Sequence, residues 1–274
     1  MLIRLTRLAL KALPDSAAFR ITRSLAAVTQ HPRITQTERT ALANAKRIRY
    51  GDGNVAWAWG DGPPVVLVHG WSGRAAQMAP LAARIADYGF RAVALDVTGH
   101  GDSPGRRTEW RHFLRDIPAL ADKLGEPVHA YVGHSAGALT LMAARQAGHV
   151  SATTYVLICA PTHPFPAVNV IRRKLGPRPG VIARYCDFVA GQFGTTWESL
   201  RDGTLYQGLG ANALLVFDTM DRFVDHSEGD RIAAIAPGAR LVKTDRYGHA
   251  KILTAPELLQ EVCGFLRTAG AGSA

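Results

Sequence analysis

Ser135 stands in Gly133-His-Ser-Ala-Gly137, a Gly-x-Ser-x-Gly pattern. A hydroxyl is a weak nucleophile until a base removes its proton, and its attack on a carbonyl needs donors waiting for the oxyanion that forms. Small residues two before and two after the serine suit a sharp strand-to-helix turn that holds it in a strained, exposed position. The helix that follows would open at Ala136, whose N–H is one of the unsatisfied donors of a helix start and so a candidate for the oxyanion. A second donor is expected from the loop after an earlier strand. His69-Gly-Trp71 follows the apolar run Val65-Val-Leu-Val68 and offers the Trp71 N–H.

The base and the acid are sought downstream. Tyr247-Gly-His249 lies after an apolar segment near the chain's end, where a loop between the last strand and helix would place a histidine. Phe217-Asp-Thr-Met-Asp-Arg-Phe-Val224 supplies two carboxylates. Asp218 directly follows the apolar run and can cap its own turn, whereas Asp221 lies further into the loop, toward the site.

Elements of the right kind surround these residues. Residues 65–68 have the unbroken apolar character of a strand buried on both faces, and a helical stretch near 75–88 follows. The unit repeats as strand 91–95, helix 110–124, strand 128–132, helix 136–147 and strand 153–159. This alternation predicts an α/β fold, a doubly wound and mostly parallel sheet with its site at the carboxyl ends of the strands. From 161 to 210 the alternation stops, and five prolines punctuate short helical pieces, so residues 161–210 are predicted to form a helical cap on a core of 46–160 and 211–274. The sheet resumes at 213–217 and 240–242, and a helix over 256–266 closes it. Upstream, residues 48–59 alternate around Gly51-Asp-Gly53, a hairpin that would start the sheet.

Residues 1–45 read as a basic, helical extension. Leu2, Leu5, Ala9 and Leu13 fall on one face of an amphipathic helix and Arg4, Arg7 and Lys11 on another. Asp15 and Ser16 can cap a second helix carrying Phe19, Leu25 and Val28, and Thr35-Gln-Thr-Glu38 is a capping box for a third over 36–45. Of the formal charge of +10, the first fifty residues hold ten Lys/Arg against Asp15 and Glu38. Residues 1–30 are expected to pack on the domain or on a second subunit, giving a homodimer. A membrane surface is the second reading and a transit peptide the third. Removing them is expected to weaken such association more than catalysis. The basic residues sit away from the working site, so nucleic acid is not expected as a partner. Charges interrupt the first helix too often for a secretory signal, and the three scattered cysteines suggest neither disulfides nor a zinc site; a cytoplasmic setting is expected.

From about Arg49 to Leu266 the chain resembles the α/β-hydrolase superfamily, on His69-Gly-Trp71, Gly133-His-Ser-Ala-Gly137 and Asp96-Val-Thr-Gly-His-Gly-Asp-Ser103. The resemblance implies an eight-stranded core, a cap after the sixth strand and the order serine, acid, histidine. The family's Gly-x-x-Asp-x-x-Val spacing lays Asp221 on the acid and puts Asp218 where glycine often stands, so Asp221 is predicted as the acid with Asp218 as the alternative. The expected activity is hydrolysis of a small-molecule carboxylic ester through an acyl-enzyme, with Ser135 as nucleophile, His249 as base and the Trp71 and Ala136 N–H groups as the oxyanion hole. No cofactor is required.

Other chemistries fit less well. Gly99-His-Gly-Asp-Ser-Pro-Gly105 puts proline at the third glycine of a dinucleotide fingerprint, and no His-Glu-x-x-His or similar spacing marks a metal site. Relatives that open epoxides or carbon–halogen bonds use aspartate where Ser135 stands. The same triad could serve thioesters, acyl transfer, peptides or carbon–carbon bonds, and a catalytically silent binding protein is a further alternative. Trp71, Phe165, Phe188, Phe193 and Trp197 could line a substrate pocket, or the cap aromatics among them could form its own small core.

Overall fold

The computed structural model describes residues 2–31 and 33–271; Met1, Pro32 and residues 272–274, which the sequence reading includes in the extension and the core, lie outside them. Eight strands form one sheet in the order β1-β2-β4-β3-β5-β6-β7-β8: β1 Lys46–Tyr50, β2 Asn54–Trp59, β3 Pro64–Val68, β4 Arg91–Asp96, β5 Ala130–His134, β6 Thr154–Ile158, β7 Ala213–Asp218 and β8 Arg240–Thr244. The first two pair antiparallel as the hairpin around Gly51 and Gly53, β2 runs antiparallel to β4, and every other pairing is parallel. The first strand of the sheet is an edge carrying Lys46, Arg47 and Arg49, with only Tyr50 fully buried. Basic side chains on an edge discourage further strand pairing.

Strands β3 to β7 are buried on both faces because helices cover both. One face packs against α4 (Ala75–Asp87) and α12 (Pro256–Ala271). The other packs against α5 (Trp110–Leu124), α6 (Ala136–Gln146) and α10 (Ser227–Ile235). The predicted strand over 128–132 lies two residues later. Its ladder with β3 begins at Val65↔Ala130, and Gly133 and His134 remain paired with Leu157 and Ile158 of β6. The turn into α6 is therefore made at Ser135 itself. The 153–159 strand likewise ends one residue early, because Cys159 leaves the ladder at φ +47°.

Between β6 and β7 the chain forms α7 (Phe165–Lys174), α8 (Pro179–Gln192), α9 (Trp197–Arg201) and two short 3-10 turns. Pro164 and Pro179 stand at helix starts, where the missing N–H costs nothing. The insertion is tied to the core where it begins: Glu228 accepts the N–H and hydroxyl of Thr162 (2.7 Å each), and the Tyr206 hydroxyl donates to Pro161 O (2.6 Å).

Helices α1 (Leu2–Ala12), α2 (Asp15–Ala26) and α3 (Gln36–Ala43) form the extension, with the Thr35/Glu38 capping box in place. The buried face of α1 differs from the expected one. Leu10 is fully buried and Leu13 half-buried, packed with Ala18 and with Val181 of α8, while Leu5, Leu8 and Ala9 face solvent. Tertiary contact with α8 selects that face over the apolar stripe that the spacing suggested.

The extension does not stand apart. Arg178 pairs with Asp15 (2.6 Å) and donates to the carbonyls of Lys11 and Leu13, and Arg23 pairs with Glu109 (2.9 Å). Beyond α2 the chain runs antiparallel to residues 106–108, with Thr108 N–H donating to Ala27 O (2.8 Å) and Thr29 N–H to Arg106 O (3.1 Å).

Candidate functional site

Ser135 sits at the turn from β5 into α6 with φ 53° and ψ −118°. A non-glycine residue rarely adopts such a backbone, and the surroundings hold it there. A Cβ on Gly133 would lie 2.5 Å from Ala138 Cα, and one on Gly137 would lie 2.4 Å from Val68 O. Glycine at both places lets α6 begin directly under the ends of β3 and β5.

The base and acid candidates converge on this turn. Ser135 Oγ lies 2.9 Å from His249 Nε2, and His249 Nδ1 lies 2.6 Å from Asp221 Oδ2. The hydroxyl thus donates to Nε2 while Nδ1–H donates to the carboxylate. Asp221 has a fully buried side chain, and its other oxygen accepts the N–H groups of Phe223 (2.7 Å) and Val224 (3.0 Å). Burial works to raise its pKa, but the bonds and charge of His249 and these N–H groups bring it below the ordinary carboxylate value.

Asp218 takes no part in that row. It is buried at the end of β7, and its carboxylate accepts the Met220 and Gly248 N–H groups on one oxygen and Thr244 Oγ1, Arg246 N–H and Tyr247 N–H on the other. Burial alone would raise its pKa; Thr244 and the N–H groups of Tyr247, Gly248 and Met220 outweigh it and hold the value at about 2. The role this carboxylate performs is to fix the loop that carries His249.

The Trp71 loop lies against the serine. A Cβ on Gly70 would be 3.1 Å from Ser135 Cβ, a tight contact, so glycine suits the close approach of this loop. Among the described residues, the N–H groups of Trp71 and Ala136 have no protein acceptor. The loop is held from below by two buried histidines. His69 Nδ1–H donates to Gly70 O (2.7 Å) and its Nε2 accepts Val97 N–H (3.2 Å), while His100 Nε2 accepts Ser72 N–H (3.0 Å). Burial lowers the pKa of His69 to about 4 and that of His100 well below its ordinary value, so both are neutral and can accept these bonds. Buried Asp96 joins the same support, accepting the N–H of Ala75 (2.7 Å) and of Asp102 (3.0 Å); its pKa is pushed up to about 6 by burial, against those bonds.

Two neighbours of the row carried no signal in the sequence. His134 donates from Nε2 to the main-chain oxygen of His249 (2.8 Å), tying the start of the serine turn to the histidine's own backbone. Burial, then the nearby His249, lowers its pKa to about 3. Cys159 lies beneath Asp221, its thiol kept protonated by burial and by that carboxylate. Ligand atoms of His134, Cys159 and His249 fall within 4.8 Å of one another, but both ring nitrogens of His249 are engaged by Ser135 and Asp221. All three cysteines are free and buried.

The candidate pocket aromatics divide. Trp71 stacks on Phe113 (centroids 5.9 Å) and meets Trp110, which in turn meets Phe193. Phe165 and Trp197 pack on either side of His163. Trp197 also lines a cavity of about 690 Å³ inside the insertion that Ser135 and His249 do not border. Phe188 points elsewhere: it meets Phe19 of α2 at 5.9 Å with the Arg23 guanidinium over its ring at 4.3 Å, so it helps to dock the extension.

Comparison with known proteins bears on the family and the fold. A sequence segment 32% identical over 81 residues occurs in a non-heme haloperoxidase of Rhodococcus erythropolis, covering 29% of this chain and 30% of that protein, so the match spans under a third of the curated relative. The fold matches an esterase from Rhodococcus sp. ECU1013 (TM-score 0.62, 19% identity, 83% of this chain and 100% of that one). It also matches a meta-cleavage product hydrolase from Pseudomonas fluorescens IP01 (TM-score 0.59, 20% identity, 82% and 98%). The model of the alpha/beta hydrolase family matches residues 65–262, which hold the Trp71 loop, Ser135, Asp221 and His249, and the chain belongs to that family.

Proposed function

We propose that the protein is a serine hydrolase that cleaves carboxylic esters through an acyl-enzyme, with Ser135 as nucleophile, His249 as base and Asp221 as acid. The observation that carries this reading is the continuous row from Ser135 Oγ through His249 to Asp221, at 2.9 and 2.6 Å. Ser135 Oγ attacks the ester carbonyl as His249 Nε2 takes its proton, and the buried Asp221 stabilises the resulting imidazolium. The oxyanion meets the free N–H groups of Trp71 and Ala136. Collapse breaks the bond to the alkoxy group, which leaves as alcohol with the proton from His249. Water then gives a proton to His249 and attacks the acyl carbon; loss of Ser135, reprotonated by His249, releases the acid. In this reading the insertion between β6 and β7 acts as the cap and bounds the acyl group, a role supported by the contact of Phe193 with Trp110, which meets Trp71.

The test is a pre-steady-state burst with p-nitrophenyl acetate and labelling by a fluorophosphonate. Burst and labelling are expected in the native protein and neither in folded Ser135→Ala. Full activity in that variant would refute the reading. The known hydrolases of this shape carry different names, an esterase and a meta-cleavage product hydrolase among them, so an ester, a thioester and a substrate with a cleavable carbon–carbon bond should be run side by side.

A further inference from the structure

The extension leaves apolar side chains of both its first two helices in solvent. Leu5 and Leu8 of α1 are 55% and 58% exposed, and Ile21, Leu25 and Val28, spaced four and three residues apart along and just beyond α2, are 37%, 42% and 47% exposed. A chain that folds Leu10, Ala18 and Val181 completely away has no need of five solvent-facing aliphatic residues on one short segment.

Cations lie beside the exposed α1 leucines. Arg7 donates to Arg173 O, and Arg7, Leu8, Lys11 and Gly176 border one shallow depression. This contact brings α1 to the last turn of α7, which carries Arg172, Arg173 and Lys174. Among the described residues, none of Arg7, Lys11, Arg172, Arg173 and Lys174 pairs with a carboxylate. Asp15, beside α1, is taken by Arg178, and Asp187 and Glu198 border the same cavity as Arg172 without pairing with it.

The exposed α2 residues lead toward the site. Just past Val28, Thr29 Oγ1 donates to Gly99 O (2.6 Å) and Gln30 N–H donates to Ser72 Oγ (3.1 Å), the residue after Trp71. Across the site, Phe223 is 54% exposed with its ring 5.3 Å from that of His249, and Met220 is 54% exposed beside it.

We propose that this face docks on an anionic lipid surface, the leucines entering the headgroup boundary and the cations meeting lipid phosphates, so that Ser135 receives esters held in the lipid layer. A helix with basic side chains beside exposed leucines binds such a surface by buried apolar area plus electrostatic attraction, without crossing it. None of the helices searched is long and apolar enough to cross a membrane. The substrate half of this proposal rests on the hydrolase reading above; the docking half does not.

The experiment separates them. Folded Ser135→Ala protein is sedimented with phosphatidylcholine vesicles and with phosphatidylcholine–phosphatidylglycerol vesicles. Binding to the mixed vesicles at least about tenfold tighter than to the neutral ones is expected, falling with salt. The exposed pair Leu5→Asp/Leu8→Asp, checked for an unchanged melting temperature, should weaken binding about tenfold or more, as should Arg172→Glu/Arg173→Glu. Equal binding to both vesicles, no binding, or unchanged binding of either variant overturns the docking. So does a dimer in light scattering that Leu5→Asp/Leu8→Asp dissociates without any vesicle binding. In otherwise native protein, the leucine pair should slow cleavage of a long-chain ester embedded in mixed vesicles about tenfold and leave p-nitrophenyl acetate cleavage unchanged. Equal loss on both esters overturns the presentation role, whereas a native protein that binds vesicles yet cleaves no ester refutes the hydrolase reading alone.

Discussion

Asp218 and Asp221 stand three residues apart at the end of one strand, yet only Asp221 reaches the His249 ring, because the Asp218 carboxylate is filled by Thr244 and the main-chain N–H groups around it. Replacing the true acid by asparagine keeps the shape but favours the wrong imidazole tautomer, a loss on the order of 10⁴ in kcat in a well-studied triad. We expect Asp221→Asn to lose activity on that scale and Asp218→Asn far less, with kinetics on one activated ester at one pH. The reverse ranking in folded proteins would move the acid to Asp218.

Asp218 should instead appear in stability. Its folded pKa of about 2 lies below the ordinary 3.8, so the carboxylate stabilises the fold fully above about pH 4 and loses that contribution as the pH falls toward 2. On that shift the contribution is about 2 kcal/mol near neutrality. Asp218→Asn should therefore lower the melting temperature at pH 7 and flatten its decline between pH 4 and 2. Parallel melting curves for native and mutant protein would contradict this.

His134 holds the base by its backbone rather than by its ring, through Nε2–H to His249 O at 2.8 Å. Losing one hydrogen bond of about 1 kcal/mol should lower kcat roughly five- to tenfold in His134→Ala with KM unchanged. His134→Gln, which keeps an amide donor, should recover part of the loss. A change in KM alone, or no recovery with Gln, would show that the residue only fills space.

Ser135 carries backbone strain at φ 53°. Glycine relieves that strain and alanine does not, so Ser135→Gly should be more stable than Ser135→Ala by about 1–2 kcal/mol, or roughly 3 °C in melting temperature. Calorimetry of the two inactive variants decides it, and equal stabilities would mean that the turn is unstrained.

Deleting residues 1–30 removes Thr29 and Gln30 from the Trp71 side of the site and uncovers Val181 and Phe188. The truncated protein should melt several degrees lower and lose kcat on a soluble ester, by more than the leucine pair does. Native kinetics after truncation would show that the extension is dispensable for the site, as the sequence alone suggested.

The order of strands and helices, the glycine-flanked serine and the late histidine were readable because each is a local pattern: unbroken apolar runs, small residues at a turn, capping residues at helix starts. The preference for Asp221 followed from the spacing that the family resemblance implies for that loop. Local pattern also gave Asp218 a turn to cap, which it does through the Met220 N–H, but it could not show that residues 244–248 on the next strand and loop fill the rest of its carboxylate. Nor could it show that His134 grips the backbone of a residue 115 positions away. The first helix makes the same point: its sequence offers leucines on more than one face, and only the position of Val181 on α8 decided that Leu10 goes inside and Leu5 and Leu8 stay out. Periodicity fixes which residues share a face, whereas the partner that covers it is chosen by the packing of distant segments, which no stretch of sequence contains.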